Sequence, residues 1–555
     1  MGNTTLTTQN GKITFYFRRH FNLSANPATD DITLEITTLI NDGAVFYLNG
    51  TEVMRLGMPG GAISYSTLAD RTVNNPITEG PFIIPSDNLV TGDNVLAVEV
   101  HQASSNSNDI WFGLMLDANV TTPDVPSISL DPNEYALLVK DINAFAERYP
   151  AVPAEVNILG PYDGQLSNGG ETVKLEDATN STILEFDYDD DWYPITDGAG
   201  FPLVVIDAND PNLDIWDDKD GWRAGAVVGG SPGEDNGAAV QNPGDIVINE
   251  VLAHSHGGAP DWIELYNTTD TNINIGGWFL SDSDTNFMKY EIAAGTVIDA
   301  NNYVVFYQNT DFNDPCDPGC LVPFALSENG ETVYLSSGLA GELTGYSESQ
   351  DFGASETGIS FGRYLKSTGV YDFVAMDSNT LGSANAYPRV GPIVINEIMY
   401  HPKFNGDAEY IELYNITDAD LNLFDEQDNP WKFTDSGGID YSFPPDANIP
   451  AYGYLLLVKN KDAFESEGYP SVPSGVQILE WGGGRLDNGG EKVEIGMPGD
   501  IDGDGERQYI CVDGVRYDDK APWPITPDGY GKSLTRKDPS DYGNDVINWD
   551  ANEPI

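Results

Sequence analysis

Ile393-Val394-Ile395-Asn396-Glu397-Ile398, and a short way downstream Tyr410-Ile411-Glu412-Leu413-Tyr414-Asn415, are the segments on which the fold turns. Both are short, rich in β-branched and aromatic residues, and interrupted by single polar groups, which is the pattern of a strand and not of a helix. The same pair occurs earlier as Ile246-Val247-Ile248-Asn249-Glu250-Val251 and Trp262-Ile263-Glu264-Leu265-Tyr266-Asn267. The spacing between copies is nearly constant, so a domain has been duplicated. A second motif appears three times: Leu166-Ser167-Asn168-Gly169-Gly170-Glu171, Leu326-Ser327-Glu328-Asn329-Gly330-Glu331 and Leu486-Asp487-Asn488-Gly489-Gly490-Glu491. Each copy follows an apolar run (135–139, 303–307 and 454–458) and precedes another. A glycine there supplies the positive φ of a tight turn.

Between these motifs, short apolar runs alternate with Asn-Gly, Asp-Gly and Gly-Gly turns, and helical periodicity is confined to 141–149 and 461–469. The reading is all-β, as tandem β-sandwiches. The first 120 or so residues share no motif with the repeats. They are also β: a strand at 13–19, a hairpin around Asn49-Gly50, a strand at 94–101 and another at 110–116.

The chain has 555 residues and a net charge of −62, with 40% hydrophobic and 11% aromatic side chains. That apolar content excludes a disordered acidic tail, and the length requires several compact units. A polyanion cannot exchange for phosphate counterions, so nucleic acid is excluded as a partner. No run approaches the ~20 apolar residues of a membrane span. The chain opens Met1-Gly2-Asn3-Thr4-Thr5, with neither a basic nor an apolar leader segment. We read it as a trimmed or mature piece of a secreted or cell-surface protein.

The duplicated unit, through its Ile-Asn-Glu-Ile opening, its Ile-Glu-Leu-Tyr-Asn strand, Asn-Gly-Gly-Glu, and Trp523-Pro524-Ile525-Thr526-Pro527-Asp528-Gly529, resembles the bacterial lamin tail domain, an immunoglobulin-like sandwich. The resemblance covers 244–390 and 391–555. Residues 123–243 are similar only in part: they keep Trp192-Tyr193-Pro194-Ile195-Thr196-Asp197-Gly198 but lack both opening strands. Residues 1–122 resemble the galactose-binding-like jelly roll through Phe17-Arg18-Arg19, Tyr47-Leu48-Asn49-Gly50 and Asn94-Val95-Leu96-Ala97-Val98. That resemblance implies a sugar-binding module without catalysis, although fold alone does not establish a ligand.

The chemistry-bearing residues are few. Asp500-Ile501-Asp502-Gly503-Asp504-Gly505-Glu506 places oxygens at positions 1, 3 and 5 with Gly at 6, in the manner of a calcium loop. Position 12 is Cys511, so it is not a full EF-hand. We expect Ca2+ at Asp500, Asp502, Asp504 and Glu506, against a plain solvated acidic loop. Asp187–Asp191 and Asp214–Asp220 are lesser candidates. In the jelly roll, Trp111, His101 and Asp109 are the expected ligand-binding residues, with Trp111 as a stacking platform, and Trp481 is the other tryptophan expected at the surface. Cys316 and Cys320, in Asp-Pro-Cys-Asp-Pro-Gly-Cys, read as a disulfide across a turn, the alternative being two free thiols. Cys511 reads as a buried strand residue. His254, His256 and His401 read as loop histidines, and Glu264 and Glu412 as fold-holding acids, because copies in separate domains cannot face one substrate.

No nucleophile elbow, zinc-protease motif or phosphate loop is present. The expectation is a non-catalytic extracellular protein for surface attachment or glycan binding, stiffened by calcium. A self-assembling surface-layer or filament subunit, with copies of itself as partner, is one alternative. The accessory region of a polysaccharide-degrading enzyme is the other.

Overall fold

In the computed structural model the residues described are 11–27, 30–107, 109–121, 129–234, 241–425 and 427–554. They form two compact units, 1–134 and 135–555.

The first unit is a two-sheet sandwich. One sheet orders Thr14–Leu23, Gly92–His101, Gly43–Leu48 and Thr51–Leu56, and the other Glu79–Ile84, Asp31–Ile40 and Phe112–Thr121. Asp31–Ile40 alternates strictly, and its inward residues Ile32, Leu34 and Ile36 meet Phe46, Val98 and Val100 in the core. Asn49 and Gly50 both have positive φ (49° and 86°), which closes the expected hairpin. The last strand starts at Phe112, not Ile110, so Trp111 lies in the preceding loop.

In the second unit the third repeat is complete. Its main sheet runs Gln477–Glu480, Tyr454–Val458, Tyr410–Asn415, Ile393–Met399, Ser533–Arg536, Trp549–Asn552. A second sheet of Asp440–Ser442, Lys432–Asp435, Gly490–Ile501 and Arg507–Asp518 closes the core, and Ile395, Ile411, Leu413, Phe433, Val493 and Val515 meet inside. The second repeat has the same order from Tyr303–Tyr307 through Trp262–Asn267, Ile246–Leu252 and Phe361–Leu365 to Tyr371–Ala375.

The Asn-Glu pair inside each opening strand is a β-bulge. Register shifts between Ile248 and Glu250, and between Ile395 and Glu397, so each asparagine falls out of the ladder. The bulged asparagine then donates to the glutamate of the neighbouring strand: Asn249 Nδ2 to Glu264 Oε1 at 2.8 Å, and Asn396 Nδ2 to Glu412 Oε1 at 2.7 Å. The thrice-repeated turn has one cause as well. The backbone N–H of Ser167, Ser327 or Asp487 donates to the carboxylate four residues on, Glu171, Glu331 or Glu491, at 2.9, 2.6 and 2.7 Å. Among the described residues the two α-helices are Ile142–Arg148 and Lys461–Glu467, capped by the side chains of Asp141 and Asn460. No helix among the described residues is long and apolar enough to cross a membrane.

Candidate functional site

Three adjacent strands of the jelly roll set their polar side chains on the outer face of its four-stranded sheet, because alternate residues point away from the core. Tyr16 pairs with Glu99 across the ladder, and Val45, one strand further, pairs with the other side of Glu99. Tyr16, Arg18, Tyr47 and Glu99 thereby line an open depression of about 550 Å3. Tyr16 is 65% exposed. The Tyr47 hydroxyl donates a short hydrogen bond to Glu99 Oε1, and Glu99 Oε2 lies 3.5 Å from His101 Nε2. Burial first, and then the Glu99 carboxylate, push the Tyr47 hydroxyl above the ordinary tyrosine range, so it stays a donor. An exposed aromatic ring beside a fixed carboxylate and a guanidinium can stack on an apolar face and receive hydroxyl donors from the same molecule. The alternation of Tyr16 and Arg18 with inward residues is the sequence signal for this face, and it passes unnoticed when each strand is read singly.

The expected ligand residues divide. Trp111 is 60% exposed, in keeping with a platform. Asp109 stands near it but is engaged, accepting from Asn41 Nδ2 at 3.1 Å and from Ser107 Oγ at 2.7 Å. His101 is fully buried, with Nδ1 2.9 Å from Thr14 Oγ1 and 2.8 Å from the Thr67 carbonyl, so it cannot contact a ligand directly. Its strand-end position turns the ring under the neighbouring loop, not outward. Trp481 is likewise buried, tilted against Phe433 in the third repeat's core.

The proposed calcium loop is a hairpin tip held by its own hydrogen bonds. Asp502 Oδ1 accepts the backbone N–H groups of Asp504 and Glu506 at 3.0 and 2.9 Å, and Oδ2 accepts from Gln508 at 2.6 Å. These bonds lower its pKa, the Glu506 N–H contributing most. Asp500, Asp504 and Glu506 do not converge with it. Among the described residues, the one grouping of three ligand atoms within 4.8 Å of each other is Asp189, Asp190 and Asp191.

Cys316 and Cys320 are free thiols and do not form the expected disulfide. Cys320 Sγ turns inward to the Phe312 carbonyl at 3.4 Å, while Cys316 stays at the surface with its N–H held by Asp314. Cys511 lies in the Arg507–Asp518 strand, as expected. His254 clasps two loop groups, Ser355 O at 3.1 Å and Thr357 Oγ1 at 3.0 Å, and His401 pairs with Asp528.

The repeated acids are structural. Glu264 is buried and ties the sheet to a loop by accepting the Gly382 N–H at 2.6 Å, while Glu250 accepts Ser360 Oγ and Thr380 Oγ1. In the third repeat Glu397 accepts the Tyr410 hydroxyl at 2.7 Å. Burial raises both Glu264 and Glu412 to about 7.

Fold and motifs therefore define a tandem β-sandwich protein whose repeated acids serve its sheets. The family model of the Lamin Tail Domain matches residues 239–350 and 388–497, so the second and third repeats carry that domain. No curated protein sequence matches the chain. Solved structures with similarity include an FMN-binding β-glucuronidase from Facaelibacterium prausnitzii L2-6 (11% identity, 66% of this chain, 36% of that one, TM-score 0.13). A β-D-glucuronidase of Dictyoglomus thermophilum is similar at 10% identity (69% and 40%, TM-score 0.11). A Streptomyces avermitilis α-L-rhamnosidase complexed with L-rhamnose is similar at 13% (81% and 41%, TM-score 0.14). The chain spans about two fifths or less of those enzymes' lengths, and TM-scores this low do not mark a shared fold.

Proposed function

We propose that this chain is a non-catalytic extracellular β-sandwich array that attaches to a glycan or cell-surface polymer through its jelly roll. The observation that carries this reading is the depression beside Tyr16, Arg18, Tyr47 and Glu99, with an exposed aromatic ring next to a carboxylate already held by a tyrosine hydroxyl. The lamin-tail domains serve as the stiff part, since their carboxylates are used up in tying strands to loops. Calcium adds rigidity in this reading, held by Asp189, Asp190 and Asp191, whose ligand atoms lie within 4.8 Å of one another.

The test is a glycan array probed with the full chain and with Tyr16→Ala and Trp111→Ala. The reading expects binding to a defined glycan class, lost in Tyr16→Ala with the melting temperature unchanged. Absence of binding across the array, or binding indifferent to Tyr16, removes the jelly roll as the attachment site. The Trp111 variant decides whether that platform belongs to the same ligand.

A further inference from the structure

The first repeat keeps the outer strands of the lamin-tail sheet and lacks its two central ones. Ala136–Leu138 pairs in parallel with Asn157–Leu159, as Tyr454–Val458 does with Gln477–Glu480, with Leu138 opposite Leu159 as Leu457 is opposite Leu479. Leu203–Val205 pairs antiparallel with Trp222–Ala224, as Ser533–Arg536 does with Trp549–Asn552. The tryptophans correspond: Trp222 Nε1 donates to Trp216 O and Trp549 Nε1 to Gly543 O, each six residues back. In the third repeat the Tyr410 and Ile393 strands lie between these pairs. In the first, among the described residues, no strand does.

A groove of about 830 Å3 stands in their place, lined by Leu138, Leu166, Val173, Phe186, Leu203 and Trp222. Leu138 is 67% exposed where its counterpart Leu457 is 0%, and Leu166 is 58% exposed where Leu486 is 1%. Both strand edges are open as well. The Val139 N–H bonds to Leu159 O, so that of Leu138 points the opposite way, into the gap. The Ile206 N–H bonds to Gly221 O, which leaves the Val205 N–H facing the gap from the other side. An apolar groove between two open edges is the geometry that accepts added strands.

We infer that this groove is a docking site for a two-stranded β segment of a partner polypeptide, apolar on its inward face and basic at its flanks, which completes the sheet as the Ile393 and Tyr410 strands complete the third repeat. The chain's own complete repeat defines the shape of the occupant. Its flanks follow from charge: Asp189, Asp190 and Asp197 also line the groove and, among the described residues, no Lys or Arg does. The same charge argues against a second copy, which carries −62 itself and whose equivalent strands are already buried.

The probe is the peptide Gly391–Ile416 with two lysines added at each end, labelled and titrated against the full chain by fluorescence anisotropy. Saturable binding is expected, weakened by about tenfold or more in Leu166→Asp. That residue is exposed, and an unchanged melting temperature confirms that the variant folds. Hydrogen exchange at Leu138 and Val205 should be fast in the free chain and slowed by the peptide. The inference is overturned if the peptide does not bind, if a scrambled peptide binds equally, or if Leu166→Asp leaves binding unchanged. It is also overturned if those two amides are already as protected as Leu457 and Leu534, since the groove would then be closed within the chain itself.

Discussion

Glu412 offers the sharpest test of how these repeats treat their buried acids. Its carboxylate is 3% exposed, accepts one hydrogen bond from Asn396, and lies near Glu397. Burial, with repulsion from Glu397, raises its pKa from 4.5 to about 7. Between those two values the folded chain holds a proton that the unfolded chain has released. Folding is therefore favoured as pH falls from 7 toward 4.5, and that contribution is lost as pH rises through 7. A shift of this size corresponds to about 3 kcal/mol at most. Glu412→Gln is neutral at every pH and keeps the oxygen that accepts from Asn396. The substitution should stabilise the third repeat at pH 8 by about 2–3 kcal/mol, and shrink its gain between pH 8 and pH 5 by a similar amount. Urea unfolding at the two pH values, read by pulsed hydrogen exchange in 410–415, isolates this repeat from the others. A Glu412→Gln protein less stable than wild type at pH 8, with its pH dependence intact, would mean that the carboxylate is ionised and favourably bound, and the reasoning would fail.

Three further outcomes follow from the same geometry. Leu457→Ala should cost about 2–5 kcal/mol in the third repeat, whereas Leu138→Ala, at the matching position of the first, should stay within about 0.5 kcal/mol in the free chain; equal losses would contradict the open groove. Calcium should raise the melting temperature of wild type and of Asp502→Asn but not of an Asp189→Asn/Asp191→Asn double variant, and a wild-type midpoint indifferent to calcium and chelator would remove the ion from the account. Iodoacetamide without reductant should modify Cys316 in the native chain and the inward-turned Cys320 only after unfolding, and a mass two hydrogens short with no label at either in the unfolded chain would restore the disulfide.

Much of the fold is legible in the sequence because the repeats state it more than once. The opening strands, the turn ending in Glu171, Glu331 and Glu491, and both short helices stand where pattern and turn chemistry put them. Local spacing fails where exposure depends on what packs from elsewhere. Trp481, beside three glycines, looks free but lies against Phe433, and His101 ends a strand yet is roofed by the loop carrying Thr67. The Asp500–Glu506 spacing suits an ion, but the loop's own amides reach Asp502 first. The Tyr16–Glu99 face needs the register between two strands far apart in sequence, which no motif records. The missing strands of the first repeat are visible in the sequence as an absence of motif, but the groove they leave requires the sheet order of the third.

The most direct measurement is an incubation of the full chain with the glycan it binds best, followed by assay for released reducing sugar alongside Tyr16→Ala and Glu99→Gln. Retention of the glycan without release by any of the three proteins is what the account predicts. Steady release by wild type, abolished in Glu99→Gln while binding persists, would contradict it.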